Sequence, residues 1–470
     1  MTFTGKEILN LGFEEGKEVA LAIEIANTLL DTQDEEVVNI ALKRVLEKPE
    51  SFMEDRKWAA LANQLIEKNN VDPVIELNET PVDLEIFGQE HIEQGALDQI
   101  HVASKLPVAK SAALMPDAHQ GYGLPIGGVL ATDNAIIPYA VGVDIGCRMC
   151  LSIYEIDPEI IEEKEAMLSK MLNRNTAFGR QTVKNRKDHE VLHNDLFSEI
   201  PLIKGLKEKA ASQIGSSGGG NHFVEFGIVE IKTLSTELGL EPGSYLALLS
   251  HSGSRGLGAT IANHYTKLAM QETKLPDEAK HLAWLDLNTE LGQEYWLAMN
   301  LAGDYASACH HQIHERMSIG LRTRPAVMVE NHHNFAWKEL DHEGKEVIVH
   351  RKGATPAGEG VLGVIPGSMT APGYIVRGKG DPRSIASASH GAGRTMSRTK
   401  AKNTLDHEEV NKFLADRGVK VIGSGLDEAP MAYKDIDAVM ACQQDLVDVL
   451  GSFHPKIVRM CGDKGFFEVD

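Results

Sequence analysis

The sequence predicts an α+β protein: a large body of mixed β-sheets preceded by a small helical extension. Three observations predict it. The first 70 residues carry apolar positions at helical spacing, the rest carries short β-rich runs between glycine-rich turns, and two lysine-rich acidic helical stretches interrupt those runs. At 470 residues and 42% hydrophobic content, the chain has enough apolar material for a large core.

In residues 1–70, Val19, Ile23, Ala26, Leu29 and Leu30 form one helical series. Val37, Val38, Ile40, Ala41 and Val45 form a second, and Trp58, Leu61, Leu65 and Ile66 a third. Asp31-Thr-Gln-Asp34 and Pro49-Glu-Ser51 break them apart. A linker over 71–85, marked by Pro73 and Pro81, leads into the body at 86–470. There the runs Leu246 to Ser250, Ala326 to Glu330, Val347 to Val349 and Gly360 to Ile365 read as strands. Helical stretches over about Pro158 to Leu172 and Leu196 to Ala211 flank an insert around Arg180 to His189 that reads as exposed. The most apolar window, Ala135 to Ile156, is interrupted by Pro138, Asp144 and Arg148, so it predicts buried strand and not a membrane span. No internal repeat or low-complexity tract is present.

A net charge of −21 argues against a broadly basic coat for nucleic acid, yet leaves room for a local basic groove. Arg377, Lys379, Arg383, Arg394, Arg398, Lys400 and Lys402 face only Asp381 over one short stretch and are the candidates, with Arg180, Lys184, Arg186 and Lys187 of the insert beside them. Five cysteines, and no charged-then-apolar leader at Met1, predict a reducing cytoplasmic setting without a disulfide framework.

The chemistry-bearing residues sit beside glycine and asparagine, outside periodic apolar runs: Asp144-Ile-Gly-Cys147, Gly219-Gly-Asn221-His222-Phe-Val-Glu225, His251-Ser-Gly-Ser-Arg255, His332-His333-Asn334 and Ser389-His390-Gly-Ala-Gly-Arg394. A soft thiolate, imidazoles and a carboxylate suit a borderline divalent metal such as Mn, Zn or Co, and glycines let backbone amides approach an anion. The combination points to a metalloenzyme acting on phosphates. Each cluster also has a structural reading: a turn Asp beside a buried Cys, a flexible glycine linker, a satisfied turn histidine. Cys147 and Cys150 could form half a zinc ribbon or a redox pair, but no second CxxC supports either. His332 and His333 follow a strand, so only one of them can face an ion. His390, in an amide-rich turn with Arg394 four residues on, can serve as a phosphoryl acceptor whose partner Arg394 holds phosphate oxygens.

The ordered motifs Met115-Pro-Asp117-Ala-His119-Gln-Gly-Tyr-Gly-Leu-Pro-Ile-Gly-Gly128, Gly142-Val-Asp144-Ile-Gly-Cys147, Gly-Gly-Asn221-His222-Phe, His251-Ser-Gly-Ser-Arg255-Gly, His333-Asn334, Pro366-Gly-Ser368-Met369 and His390-Gly-Ala-Gly-Arg394 resemble the RtcB family of RNA-splicing ligases. The resemblance spans roughly Ile86 to Lys464. It implies one large catalytic domain with mixed sheets around a central metal cleft. It also implies two Mn(II) ions, and GTP attacked by a histidine to give a histidine–GMP intermediate. An RNA 3′-phosphate or 2′,3′-cyclic phosphate is then joined to a 5′-hydroxyl, in RNA repair or tRNA splicing. By motif, Asp144, Cys147 and His222 surround one ion, Cys147 is shared with a second ion held by His251 and His333, and His390 is the nucleophile. Guanylate binding is carried over to Asn221, His222, Phe223, Val224 and Glu225, to His333 and Asn334, to Pro366, Gly367, Ser368 and Met369, and to His390, Gly391, Ala392, Gly393 and Arg394. Asp117 matches an acidic residue near the metals.

Three departures stand out. The helical extension is outside the usual family core. Gly373 occupies a place where the family commonly has a serine that touches guanine. Lys464, matching a terminal lysine on the guanine, is followed here by Gly465 and five further residues. A metal-dependent phosphoesterase and a nucleotide-binding homologue that has lost ligation are the alternatives on the same scaffold.

Overall fold

The structure is a computed structural model, and it describes residues 2–14, 16–69, 73–183 and 187–462. Lys184, Arg186 and Lys464 therefore lie outside the described residues. The chain divides into two compact units, Met1–Val74 and Ile75–Asp470.

The first unit is helical, with helices at Gly5–Asn10, Lys17–Leu30, Glu35–Glu47 and Ala59–Asn69 and a 3-10 turn at Pro49–Phe52. Its core follows from i, i+4, i+7 spacing: Ala22, Ala26 and Leu29 on one helix meet Val38, Leu42 and Val45 on the next, with Trp58, Leu61 and Leu65 closing the cluster. The Glu7 carboxylate accepts the Thr4 backbone N–H at 2.7 Å and so caps the first helix. Pro49 opens the 3-10 turn, where its missing N–H costs nothing.

The second unit is α+β; among the described residues it has two large sheets and two two-stranded ones. A five-stranded sheet runs Asp83–Ile86, Ala109–His119, Ile126–Thr132, Glu346–Lys352, Asn334–Leu340 in spatial order. Its first pair is parallel and the others antiparallel. An eight-stranded sheet runs Leu362–Ile365, Gly373–Gly378, Val447–Met460, Phe223–Ile231, Gly243–Ser252, Arg148–Tyr154, Val327–His332, and Lys420–Ile422 pairs with Val447–Met460 as well. The four sequence runs read as strands each overlap a strand, with Ala326, Gly360 and Val361 lying just outside. The window Ala135 to Ile156 differs: only Ala135–Ile136 and Arg148–Tyr154 are strand, and Pro138–Val141 between them is a helical turn begun by its proline.

The largest core cluster forms where helices Arg255–Glu272 and Glu290–Leu321 pack, through Leu257, Ile261, Tyr265, Tyr295, Met299 and Tyr305. Sequence periodicity missed the 32-residue helix Glu290–Leu321. Its buried stripe alternates large side chains with Ala298, Ala302, Ala306 and Gly303 and carries His310 and His314, so it lacks a clean apolar repeat. Among the described residues, no helix is long and apolar enough to cross a membrane.

Candidate active site and metal centre

A cleft of about 690 Å³ in the second unit is lined from both sheets. His333 sits where the chain leaves one sheet for the other: Val327–His332 belongs to the eight-stranded sheet and Asn334–Leu340 to the five-stranded one. The crossover is fixed by the His333 N–H donating to Cys147 O at 3.0 Å and the Gly146 N–H donating to Asn334 O at 2.8 Å. His333 turns into the cleft, while His332 packs against Phe335 and Trp337.

The loop before strand Arg148–Tyr154 turns tightly, with the Cys147 N–H on Asp144 O at 3.1 Å, which puts both side chains at the same place. Two triads of ligand atoms result, Asp144/Cys147/His222 and Cys147/His251/His333, and Cys147 is common to both. Cys147 Sγ lies 3.5 Å from His222 Nε2 and 3.1 Å from His251 Nε2, and His251 Nε2 lies 3.2 Å from His333 Nε2. Asp144 Oδ2 is 2.9 Å from His222 Nε2.

The backbone fixes which nitrogens face the centre. His222 Nδ1–H donates to Ser217 O at 2.8 Å and His251 Nδ1–H to Asn221 O at 3.3 Å, so each presents a bare Nε2 to the cluster. Burial, reinforced by the neighbouring imidazoles, holds His251 and His333 well below the usual histidine range. The Cys147 sulfur, the Asp144 carboxylate and the bare Nε2 atoms of His222 and His251 thus converge on one region, and this mixed S/N/O donor set fits a borderline divalent metal. Gly253 is required beside it, because a Cβ there would overlap the Asp144 carboxylate.

On the rear of strand Gly243–Ser252, Ser250 and Ser252 point away from the cleft by strand alternation. Ser250 Oγ meets His310 Nδ1 at 2.6 Å and His314 Nε2 at 2.8 Å, Ser152 Oγ meets His314 Nδ1 at 2.7 Å, and His310 Nε2 meets Ser252 O at 3.0 Å. This buried chain clamps both neighbours of His251. The sequence signal was His310 and His314 at i, i+4, hidden in a helix the sequence reading missed.

His390 follows strand Ser387–Ser389 and faces the cleft 5.0 Å, ring to ring, from His333. Its Nδ1 lies 2.7 Å from Asp117 Oδ2, leaving Nε2 as its remaining ring nitrogen. Asp117 is fully buried; burial alone would raise its carboxyl, but His390, then Lys434, turn the balance and hold it below the usual carboxylate range. Gly393, at φ +72°, passes so close to Asp117 O that a Cβ would overlap it. The His-Gly-Ala-Gly-Arg spacing therefore serves close backbone approach.

Of the residues matched to guanylate binding, Asn221, His222, Phe223, Glu225, His333, Asn334, Pro366, Gly367, Ser368, Met369, Gly373, His390, Gly391, Ala392, Gly393 and Arg394 line this cleft, while Val224 faces away into a core cluster. Strand alternation explains Val224, which lies between Phe223 and Glu225. Burial pushes the Glu225 carboxyl well above its usual range. Asn334 is already engaged: its Oδ1 accepts the Gly353 N–H at 2.8 Å and its Nδ2 reaches Asp144 O at 3.4 Å. A Cβ at Gly373 would press on Pro366 Cα and Ile365 O at 3.2 and 3.3 Å, so a serine needs those neighbours to yield.

Most cations of the basic stretch offered for a local groove are paired with carboxylates. Arg377 pairs with Glu237 and, at 2.7 Å, Asp448; Lys379 pairs with Asp448 at 3.1 Å, and Arg383 with Asp381 and Asp445 at 2.6 and 3.2 Å. Only Arg394 and Arg398 among these cations line the cleft. Arg398 pairs with Glu428 and, at 3.1 Å, Asp427, while Arg394 donates to Met396 O and Asp427 O at 3.1 and 2.6 Å. Lys187 of the insert pairs with Glu315. Apart from Asp381, the neutralising carboxylates lie outside the stretch, which a local count could not reveal. Lys352, which sequence reasoning also missed, is buried at the cleft edge, where burial pulls its ammonium down to about 7.

Comparison with known proteins places this geometry in context. The sequence profile of the family described as tRNA-splicing ligase RtcB matches residues 99–200 and 198–460. The RNA-splicing ligase RtcB of Escherichia coli (strain K12) is 36% identical over 391 residues, covering 76% of this chain and 92% of that protein. The tRNA-splicing ligase RtcB of Nanoarchaeum equitans is 31% identical over 442 residues, covering 78% and 91%. That of Aeropyrum pernix is 30% identical over 416 residues, covering 73% and 86%.

Proposed function

This chain belongs to the RtcB family of RNA-splicing ligases, and from that premise we propose that it joins an RNA 3′-phosphate or 2′,3′-cyclic phosphate to a 5′-hydroxyl using GTP and manganese. The observation that carries the reading is the placing of His390, held by Asp117, against a double acceptor cluster centred on Cys147. Bound divalent ions, held by Asp144, Cys147 and His222 and by Cys147, His251 and His333, would neutralise phosphate oxygens.

The remaining chemistry belongs to the chain. Asp117 keeps the proton of His390 on Nδ1 and leaves the Nε2 lone pair for attack on the α-phosphorus of GTP. The Nε2–P bond forms as the bond to the β-phosphate breaks, and pyrophosphate leaves. The positive charge that develops on the ring is stabilised by the Asp117 carboxylate. An RNA 3′-phosphate oxygen then takes the guanylyl group, giving an RNA-3′-ppG end and freeing His390. Attack by the 5′-hydroxyl at the 3′-phosphorus joins the strands and releases GMP. Glu225 is assigned to the guanine edge as hydrogen-bond acceptor.

The reading places the enzyme in the cytoplasm, in keeping with five cysteines none of which is in a disulfide. The test is incubation of an RNA bearing a 3′-phosphate and a 5′-hydroxyl with GTP and Mn(II). Joined product that requires GTP supports the ligase; end-phosphate removal without joining would support a phosphoesterase instead.

A further inference from the structure

Between strands Ala109–His119 and Ile126–Thr132, a short loop forms part of the cleft rim. Its backbone is anchored four times. The Gln120 N–H donates to Glu93 Oε1 at 2.6 Å, and Gly121 exchanges two hydrogen bonds with the Gln99 amide, at 2.6 and 3.0 Å. Lys352 Nζ donates to Tyr122 O at 2.6 Å. The next residue, Gly123, at φ +68°, passes so close to His281 that a Cβ would stand 2.9 Å from its carbonyl oxygen. The chain thus holds this turn rigidly, yet the side chain the turn carries, Tyr122, is 61% exposed.

Tyr122 is supported from the side. Tyr139 and His281 meet its ring at centroid distances of 6.2 and 6.1 Å, the second edge-on, and Lys352 Nζ lies 5.5 Å from the Tyr139 ring centre. A fixed aromatic ring left open to water at the mouth of a cleft is preorganised for a flat ligand. Its position says which one. Tyr122 rises from the five-stranded sheet, and Lys352 beneath it precedes Gly353, where a Cβ would stand 3.3 Å from His390 Cε1. The guanylate candidates Glu225 and Ser368 belong instead to a strand and a strand connection of the eight-stranded sheet. With the guanine base assigned to Glu225 and Ser368, the Tyr122 ring is left to the other substrate.

We propose that Tyr122 is a stacking platform for a nucleobase near the reacting end of the RNA. The proposal rests on the RNA-ligase reading above. Stacking of this kind tolerates any base, because every base presents a π face, so the platform would position RNA ends without selecting their sequence.

The test measures two things in the full chain and in Tyr122→Ala and Tyr122→Phe. One is binding, without GTP, of a short fluorescein-labelled RNA with a 3′-phosphate, read by anisotropy. The other is labelling of the protein by radioactive GTP with Mn(II). Tyr122→Ala should weaken RNA binding by roughly tenfold or more, Tyr122→Phe by no more than about twofold, and neither should change GTP labelling. Unchanged RNA affinity in Tyr122→Ala overturns the platform and leaves the ligase reading standing. Equal loss in Tyr122→Phe overturns stacking in favour of the hydroxyl, and a parallel loss of GTP labelling assigns the ring to the nucleotide. A Tyr122 effect on RNA with no GTP labelling in any variant contradicts the ligase mechanism and leaves the platform intact.

Discussion

One carboxylate oxygen, Asp117 Oδ2, takes both the ring Nδ1–H of His390 at 2.7 Å and the His390 backbone N–H at 3.2 Å. The other, Oδ1, is buried and has no hydrogen-bond partner among the described residues. Asp117 therefore orients the imidazole and supplies the charge that a positively charged ring needs. Asp117→Asn keeps an acceptor oxygen and removes the charge, so guanylylation should fall by about 10² to 10⁴-fold while metal content stays unchanged. Single-turnover labelling with GTP checks this, and a rate within a few-fold of the native chain would remove Asp117 from the mechanism.

Cys147 is the shared member of both ligand triads. A serine hydroxyl resists deprotonation far more than a thiol and matches a borderline metal poorly, so Cys147→Ser should weaken both ions together. Elemental analysis after dialysis against Mn(II) reads the outcome. Loss of a single equivalent, or of none, would show that Cys147 does not bridge.

Glu225 is buried, and burial alone raises its carboxyl. A guanine that donates to it would restore the charged form, and a lost hydrogen bond to a charged group is worth about 1.5 to 3 kcal/mol. Glu225→Ala should therefore raise the GTP concentration for half-maximal labelling by roughly ten- to a hundredfold, and narrow the preference for GTP over ATP. An unchanged GTP dependence would place the base elsewhere.

Acid should destabilise the apo protein early. Burial pulls His310 and His350 to about 4 and His314 to about 3, while the unfolded chain titrates near 6.5. Because the folded values are depressed, the native state binds fewer protons in this window. Its stability is therefore full above about pH 6.5 and declines as pH falls toward the folded values. Near pH 5.5 each of the three costs on the order of 1 kcal/mol, together a few kcal/mol. Urea unfolding in EDTA at about pH 7.5 and about pH 5.5 measures the difference, and a flat response would mean that these histidines are charged in the fold.

The strands and the helical extension were legible because their apolar residues repeat at a single period. The turn clusters were legible because His251, His333 and His390 stand beside glycines and asparagines, outside any periodic apolar run. Long-range partnerships were not. Nothing local says that Asp117 meets His390 across 273 residues, or that Glu428 and Asp448 neutralise arginines read as a groove. Lys352 and Tyr122 were hidden for a related reason: one ends a strand and the other sits in a turn, and only the sheet brings them to the same cleft.

The central claim is that His390 carries the guanylyl group. Incubating the native chain with α-labelled GTP and Mn(II) should give a protein adduct that survives alkali and is lost in acid, as a phosphoramidate is. His390→Ala should abolish that adduct while leaving the fold and the metal content nearly intact. A His390→Ala protein that still forms the labelled adduct would contradict the account.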